Sequence, residues 1–167
     1  MSRHHIFAGA AIAASAAVVG IGALEASGQR APAAAAIDTP RTLTLSTPFD
    51  GGKSRYVDVG KKGVGPGDMF IGTGAPLRDE ETGGRAGQFE GIETILSAAH
   101  NGTVNLTGAL RLSDGTIELA GTIRHTDPDE GLAVIGGTGA YANARGEVTN
   151  REDARRKVNV MTVSLLP

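Results

Sequence analysis

A chain of 167 residues with a formal net charge of -2 and no long basic run reads as one domain, without an electrostatic footprint for nucleic acid. It holds no cysteine, which excludes a disulfide framework, a thiolate zinc site and a Cys nucleophile. Its 25 glycines favour turns and tight strand crossings over helix, where glycine is costly.

The N-terminus carries Arg3 and then an uncharged run from Ile6 to Leu24, followed by a segment rich in Ala, Ser and Pro. This is the three-part layout of a secretory signal peptide. The run is nearly long enough to span a bilayer, so an uncleaved anchor is the alternative. Most of its residues are Ala and Gly, which partition weakly and favour cleavage. The expectation is a signal and Ala/Pro-rich linker over residues 1–36 and a single domain over 37–167. The product would be secreted or held in the cell envelope, of a bacterium by its Ala-rich signal. It would touch a membrane only through the N-terminal segment if that stays uncleaved.

From Thr39 onward the pattern is alternation, with no convincing helical period. Strands are predicted at Arg41–Phe49, Arg55–Val59, Asp68–Leu77, Arg85–Ala98, Thr103–Leu112, Thr116–His125, Leu132–Gly136, Arg145–Asn150 and Lys157–Leu166. Val104, Leu106, Leu110 and Leu112 share one side of their strand, as do Ile117, Leu119 and Ile123 of the next. Asn101-Gly102 and Asp114-Gly115 are dipeptides suited to two-residue hairpin turns. The charged REDARRK at 151–157 suits another hairpin tip. Sequence neighbours joined by hairpins give an antiparallel meander, and this many short strands suit a sandwich or a closed barrel. Glycines inside strands, at Gly87, Gly91, Gly108 and Gly121, favour the barrel, which must bend strongly coiled strands and thereby removes exposed edges.

Gly137-x-Gly139-x-x-Ala142 spells a dinucleotide-binding turn. That fingerprint needs a helix after it and a second parallel strand. Tyr141–Ala144 allows at most one turn, and Gly146 follows. The glycines therefore read as a close-packed corner between two strands, and no cofactor is expected. His4, His5, His100 and His125 show no metal-ligand spacing, so no metal site is expected either.

The same stretch, GGTGAYANARG at 136–146, resembles the signature of the allene oxide cyclase barrel and of the dirigent proteins, including the Ala144-Arg145-Gly146 of the latter. Gly67-Asp68, Leu77, Asp79, Gly84, Gly87 and Gly91 resemble a second block of these barrels. The resemblance spans most of residues 41–166. It implies an all-β, eight-stranded antiparallel closed barrel with an apolar cavity, assembled as a homodimer or homotrimer. Plant allene oxide cyclases carry a catalytic Glu on the first strand and a Pro soon after; Leu45 and Ser54 stand there here, a departure that weakens the implication of that family's own reaction. Glu93 falls near a cavity-lining Cys of those cyclases.

Glu93 lies in FEGIETIL with Phe89, Gly91 and Ile95 on its parity. If that face is inward, an apolar wall raises the carboxyl's pKa and makes it a candidate general acid. If outward, the carboxylate is solvated. Glu90 has the opposite parity. By the resemblance, Arg145 is either a guanidinium at the cavity mouth or an Arg tying the glycine corner through carbonyls. Asp79 is tied to function in dirigent-like barrels, but also sits in an ordinary turn sequence. Phe70, Phe89 and Tyr141 are the aromatic candidates for substrate contact.

Two functions follow. The first is an exported, cofactor-independent barrel, isomerase- or cyclase-like, that binds an apolar reactive molecule and directs its cyclisation or stereoselective coupling by holding a near-attack conformer. The alternative is a non-catalytic exported carrier, or a structural envelope protein.

Overall fold

The computed structural model describes residues 39–98, 102–124 and 131–167. Within them are nine strands and no helix: β1 (Arg41–Pro48), β2 (Lys53–Val57), β3 (Met69–Asp79), β4 (Arg85–Ser97), β5 (Thr103–Leu112), β6 (Gly115–Arg124), β7 (Gly131–Gly139), β8 (Arg145–Asp153) and β9 (Val158–Leu166). Every predicted strand is present, most with ends within a few residues. The expected signal segment at 1–36, together with His100, Asn101 and His125, lies outside the described residues.

Eight strands close into an antiparallel barrel, β1-β9-β8-β7-β6-β5-β4-β3, with β3 returning to β1. The ring closes on a short seam: β1 meets β3 only at Leu45↔Asp79 and Ser46↔Arg78. β2 takes the half of β3 that β1 leaves free, pairing Lys53↔Thr73 through Val57↔Met69. β1 and β2 together therefore form one wall position, interrupted by the turn between them. We call "upper" the end where β1, β4, β6 and β8 finish and "lower" the end where they begin.

The glycine stretch is a strand corner, as its lack of a following helix predicts. β7 runs through Gly136 and Gly137 to Gly139, and tight turns over Ala140–Ala144 lead into β8. Gly139 takes φ 60°, in the left-handed region, and a Cβ there would collide with the Asp114 carbonyl oxygen. The β5–β6 hairpin differs from expectation by one residue. Its turn is Ser113-Asp114, and Gly115 is already on β6, opposite Leu112. Asp114 does not take positive φ; Gly115 is needed because a Cβ would collide with the Thr138 carbonyl oxygen of β7. Of the glycines inside strands, Gly87 and Gly91 each border a register shift between β3 and β4, whereas Gly108 and Gly121 lie in regular pairing. The register shifts between Gly72 and Ala75 and between Leu77 and Arg78 in β3, and between Glu118 and Leu119 in β6.

Period-two alternation places the core inside the barrel. Leu45, Leu77, Leu110, Ile117, Leu119, Tyr141, Val148, Val163 and Leu165 retain 0–2 % exposure and fill its middle and lower end. Burying each such aliphatic side chain contributes about 1.5–3 kcal/mol. Inward residues nearer the upper end, namely Ile95, Val104, Leu106, Leu132 and Met161, retain 4–8 %. At the two rims the lining is partly exposed, at Leu43 and Leu112 below and at Ile123 above.

The seam has an outer strap. Glu80, just past β3, accepts two hydrogen bonds from the Arg156 guanidinium of the β8–β9 turn, at 2.6 and 2.7 Å. Its carboxylate also bonds the Ser46 side chain, and its backbone N–H donates to the Thr44 carbonyl, both on β1. The Arg156 hydrogen bonds, then that of Ser46, hold the Glu80 carboxyl down at about 2. A depressed acid stabilises the fold above its unfolded pKa and loses that contribution as pH falls through the folded one. Wild-type protein is therefore expected to lose this contribution between about pH 4.5 and 2. The Arg156→Met variant, followed by chemical denaturation across that range, should show a shallower acid dependence. An unchanged slope would remove the strap from the account.

Candidate functional site

The inner face at the upper end is built from neighbouring strands in register. Glu93 of β4 is flanked by Phe70 of β3 and Leu106 of β5, and Leu106 in turn faces Gly121 of β6. Directly paired residues share a face of the sheet. Leu106 and Ile95, two positions along from Glu93, are both buried. Of the two orientations that parity leaves open for Glu93, the inward one is found: its side chain is buried at 8 % exposure. Beyond Phe70 stands Tyr56 of β2, ring against ring, with centroids 5.0 Å apart and planes tilted by 40°.

Glu93 forms no hydrogen bond or ion pair with any described residue. Burial alone pushes its carboxyl up to about 7. An acid in this state is half protonated near neutral pH and has no internal partner for its proton, the condition that suits a proton donor to a bound molecule. A second unmet polar atom lies at the upper end of β1. Thr47, two positions from buried Leu45 and paired with Asn159, buries its Oγ1 with no hydrogen-bond partner. Among the described residues no group of three or more His, Cys, Asp or Glu stands where it could hold a metal.

The other candidates are placed elsewhere. Asp79 lies at the opposite end of β3 from Phe70, roughly 25–30 Å away at about 3.3 Å rise per residue. Its Oδ1 accepts from the Thr82 N–H at 2.7 Å and the Thr82 hydroxyl at 3.0 Å, capping the β3–β4 turn. These bonds, the backbone one first, hold its pKa down. Arg145 opens β8 at the lower end and is exposed. Its guanidinium donates to the carbonyls of Ala144 at 2.7 Å and Ile135 at 3.4 Å, on either side of the glycine corner. Tyr141 is sealed in the lower plug at 2 % exposure, with the Arg41 guanidinium 5.3 Å from its ring centroid. Burial, then a hydrogen bond to Asp114, pushes its hydroxyl up to about 12. The structure therefore sets Phe70 opposite Glu93 with Phe89 on the same inner face of β4, leaves Arg145 and Tyr141 at the lower end, and puts Asp79 on the seam beside Leu45 of β1, at the far end of β3 from Phe70.

Reasoning from sequence missed Asp68. It is completely buried before β3 and accepts from the Tyr56 hydroxyl at 2.5 Å and from the N–H groups of Val59 and Gly65, each at 2.7 Å. The Ile95 N–H donates to its carbonyl, and the Gly67 N–H to the Ile95 carbonyl. Asp68 thereby ties loop 58–67 and the Tyr56–Phe70 pair to the end of β4 beside Glu93. The hydrogen bond from Tyr56, ahead of the backbone ones, lowers its pKa, while that of Tyr56 rises to about 12. The Gly67-Asp68 pair was the available signal, visible only as part of a family pattern.

The Glu93 state has a measurable consequence. A carboxyl raised in the fold favours folding below its unfolded pKa, and that contribution disappears as pH rises through the folded one. Carbon-13 NMR of labelled Glu side chains should find one carboxyl titrating near pH 7 that vanishes in Glu93→Gln. Wild type should lose on the order of 3 kcal/mol between about pH 4.5 and 7, and the Gln variant should not. A Glu93 titration near the ordinary carboxylate value would contradict the dry environment.

No protein-family model and no curated protein sequence matches the chain. Solved structures do. A pyocyanin demethylase superimposes with a TM-score of 0.63 at 26% identity, over 75% of this chain and 100% of that one. The pterocarpan synthase dirigent protein GePTS1 does so at 0.55 and 19% identity, over 76% and 82%. AbnU, an exo-specific intermolecular Diels-Alderase, gives 0.56 and 14% identity, over 76% and 98%. With its eight-stranded closure, its glycine corner and these neighbours, the chain is by fold a dirigent-like barrel.

Proposed function

We propose that the protein binds an apolar, reactive small molecule at the upper end of its barrel and directs its cyclisation or coupling along one stereochemical course. The observation that carries this reading is the buried, unpartnered Glu93 between Phe70 and Leu106. The fold neighbours named as a dirigent protein and a Diels-Alderase support it. Rate would come chiefly from holding reacting atoms close and excluding water, which needs no cofactor. Glu93, protonated below about pH 7, gives its proton to an oxygen or nitrogen of the substrate as negative charge develops there. Phe70 and Phe89 supply the apolar contact. Asp79 caps the β3–β4 turn at the seam, Arg145 ties the glycine corner, and Tyr141 plugs the lower end. Export through residues 1–36 and assembly as a homodimer or homotrimer belong to the same proposal.

A second reading has its own observation. The pyocyanin demethylase neighbour matches over its whole length at 26% identity. It favours removal of an N-methyl group from a pyocyanin-like aromatic in the same upper site, the carbon leaving as formaldehyde with oxygen from water and the two electrons reducing the substrate's own ring system.

The test is to incubate the full chain with organic extracts of the producing organism and with pyocyanin, using native mass spectrometry for retention and chiral chromatography for conversion. Retention with conversion to one isomer supports the first reading, and demethylated pyocyanin the second. Glu93→Gln should keep binding and lower turnover by roughly 10²–10⁴-fold. The wild-type rate should fall as pH rises through about 7. Retention without any conversion would overturn both in favour of a carrier.

A further inference from the structure

Below Glu93 on the inner face of β4 come Gly91 and then Phe89. Gly91 lies in a row of glycines that runs across three strands, Gly72↔Gly91↔Gly108. Inward positions in a small barrel are ordinarily filled by side chains. Here the far edge of the Phe89 ring occupies the space that side chains at Gly91 and Gly108 would take. A Cβ on Gly91 would lie 2.8 Å from Phe89 Cζ, and one on Gly108 would lie 2.7 Å from Cε2 and 3.2 Å from Cζ. The ring tip of residue 89 therefore reaches over residue 91. A phenylalanine whose tip lies that near the next inward Cα runs along the wall instead of standing into the bore. The two glycines permit this, and any side chain there would lift the ring into the space beneath Glu93.

The lining carries a second restriction. Around Glu93 the inward positions of β3 to β6 are Phe70, Gly72, Phe89, Gly91, Ile95, Val104, Leu106, Gly108, Gly121 and Ile123, with no lysine or arginine. Nothing on these strands compensates an anionic ligand, whose desolvation would go unmatched. The one polar group is a carboxyl that donates a proton below about pH 7 and accepts only when ionised.

We infer that the upper site selects planar, fused-ring heteroaromatic molecules, uncharged or cationic, which lie against the Phe89 ring and offer a ring nitrogen or carbonyl oxygen to Glu93. The specificity determinants are Gly91 and Gly108, which keep Phe89 laid down, and Phe89 itself. The inference rests on the proposed small-molecule site and names its substrate class. A flat ring fits a slot floored by an aromatic ring through offset stacking, whereas a cage of equal polarity meets the floor at few atoms.

The experiment uses the full chain and two probes, acridine, a planar ring nitrogen acceptor, and adamantan-2-one, a cage with a carbonyl acceptor. Binding is read at pH 6 by acridine fluorescence and by calorimetry for both. Wild type should bind acridine at least tenfold more tightly than adamantan-2-one. Gly91→Ala and Gly108→Ala should each weaken acridine at least tenfold, and Phe89→Leu should bring the two probes within about threefold. The near-neutral Glu93 titration, read by NMR in each variant, establishes that the wall is intact. Should one glycine variant fail to fold, the other and Phe89→Leu carry the test. Equal binding of both probes by wild type, binding of neither, or folded variants with unchanged selectivity would overturn the inference. The two readings fail separately. Planar selectivity with normal turnover in Glu93→Gln would remove the acid and leave the slot. Loss of turnover in that variant without planar selectivity would do the reverse.

Discussion

Closing the sheet on the β1–β3 seam turns one face of eight strands into an enclosed surface, and each inward side chain then faces the bore instead of water. The seam itself is only two residue pairs long, because β2 claims the rest of β3. That brevity explains the Glu80–Arg156 pair outside it, which spans from the end of β3 across Ser46 to the β8–β9 turn. Without closure Glu93 would sit on an open sheet face and behave as an ordinary surface acid.

Given closure, the distribution of volume along the axis decides what the barrel can do. Leucines, valines and Tyr141 fill the lower end, with the rim residues Leu43 and Leu112 partly exposed. Above them the wall turns to glycine, with Gly72, Gly91 and Gly108 in one row and Gly121 beside Leu106. The lower plug supplies stability; in the upper wall the Phe89 ring lies over Gly91 and Gly108, and Leu132 packs on Gly121. Glu93 stands above Phe89 as an acid that burial has left half protonated near neutral pH, and burial without a partner costs stability. Sites that break the rule of satisfied polar groups are where function is sought.

Much of this was legible in the sequence, for identifiable reasons. Alternation in β5 and β6 is clean because one face is apolar and the other polar, so the pattern alone assigns Leu106, Leu110, Ile117 and Leu119 to the inside. The same parity argument placed Glu93 beside Phe89 and Ile95. The glycine corner was readable because a fingerprint without its helix has no phosphate to cradle. What escaped depends on distance across the chain. Gly115 is demanded by the Thr138 carbonyl on β7, not by the turn it follows. Asp68 acts through Tyr56, Val59 and Gly65, none adjacent to it in sequence. The separation of Asp79 and Arg145 from Glu93 follows from which end of its strand each occupies, which local pattern does not reveal.

The central claim is that Glu93, buried in the wall, holds a proton up to near neutral pH with no protein partner of its own. Difference infrared spectroscopy of the carboxylic acid carbonyl stretch, at pH values below and above 7, measures this directly. The account expects a protonated-carboxyl band, absent from Glu93→Gln, that disappears as pH rises through about 7 and shifts when acridine is added. No such band, or one already lost at the ordinary carboxylate pH, would contradict it.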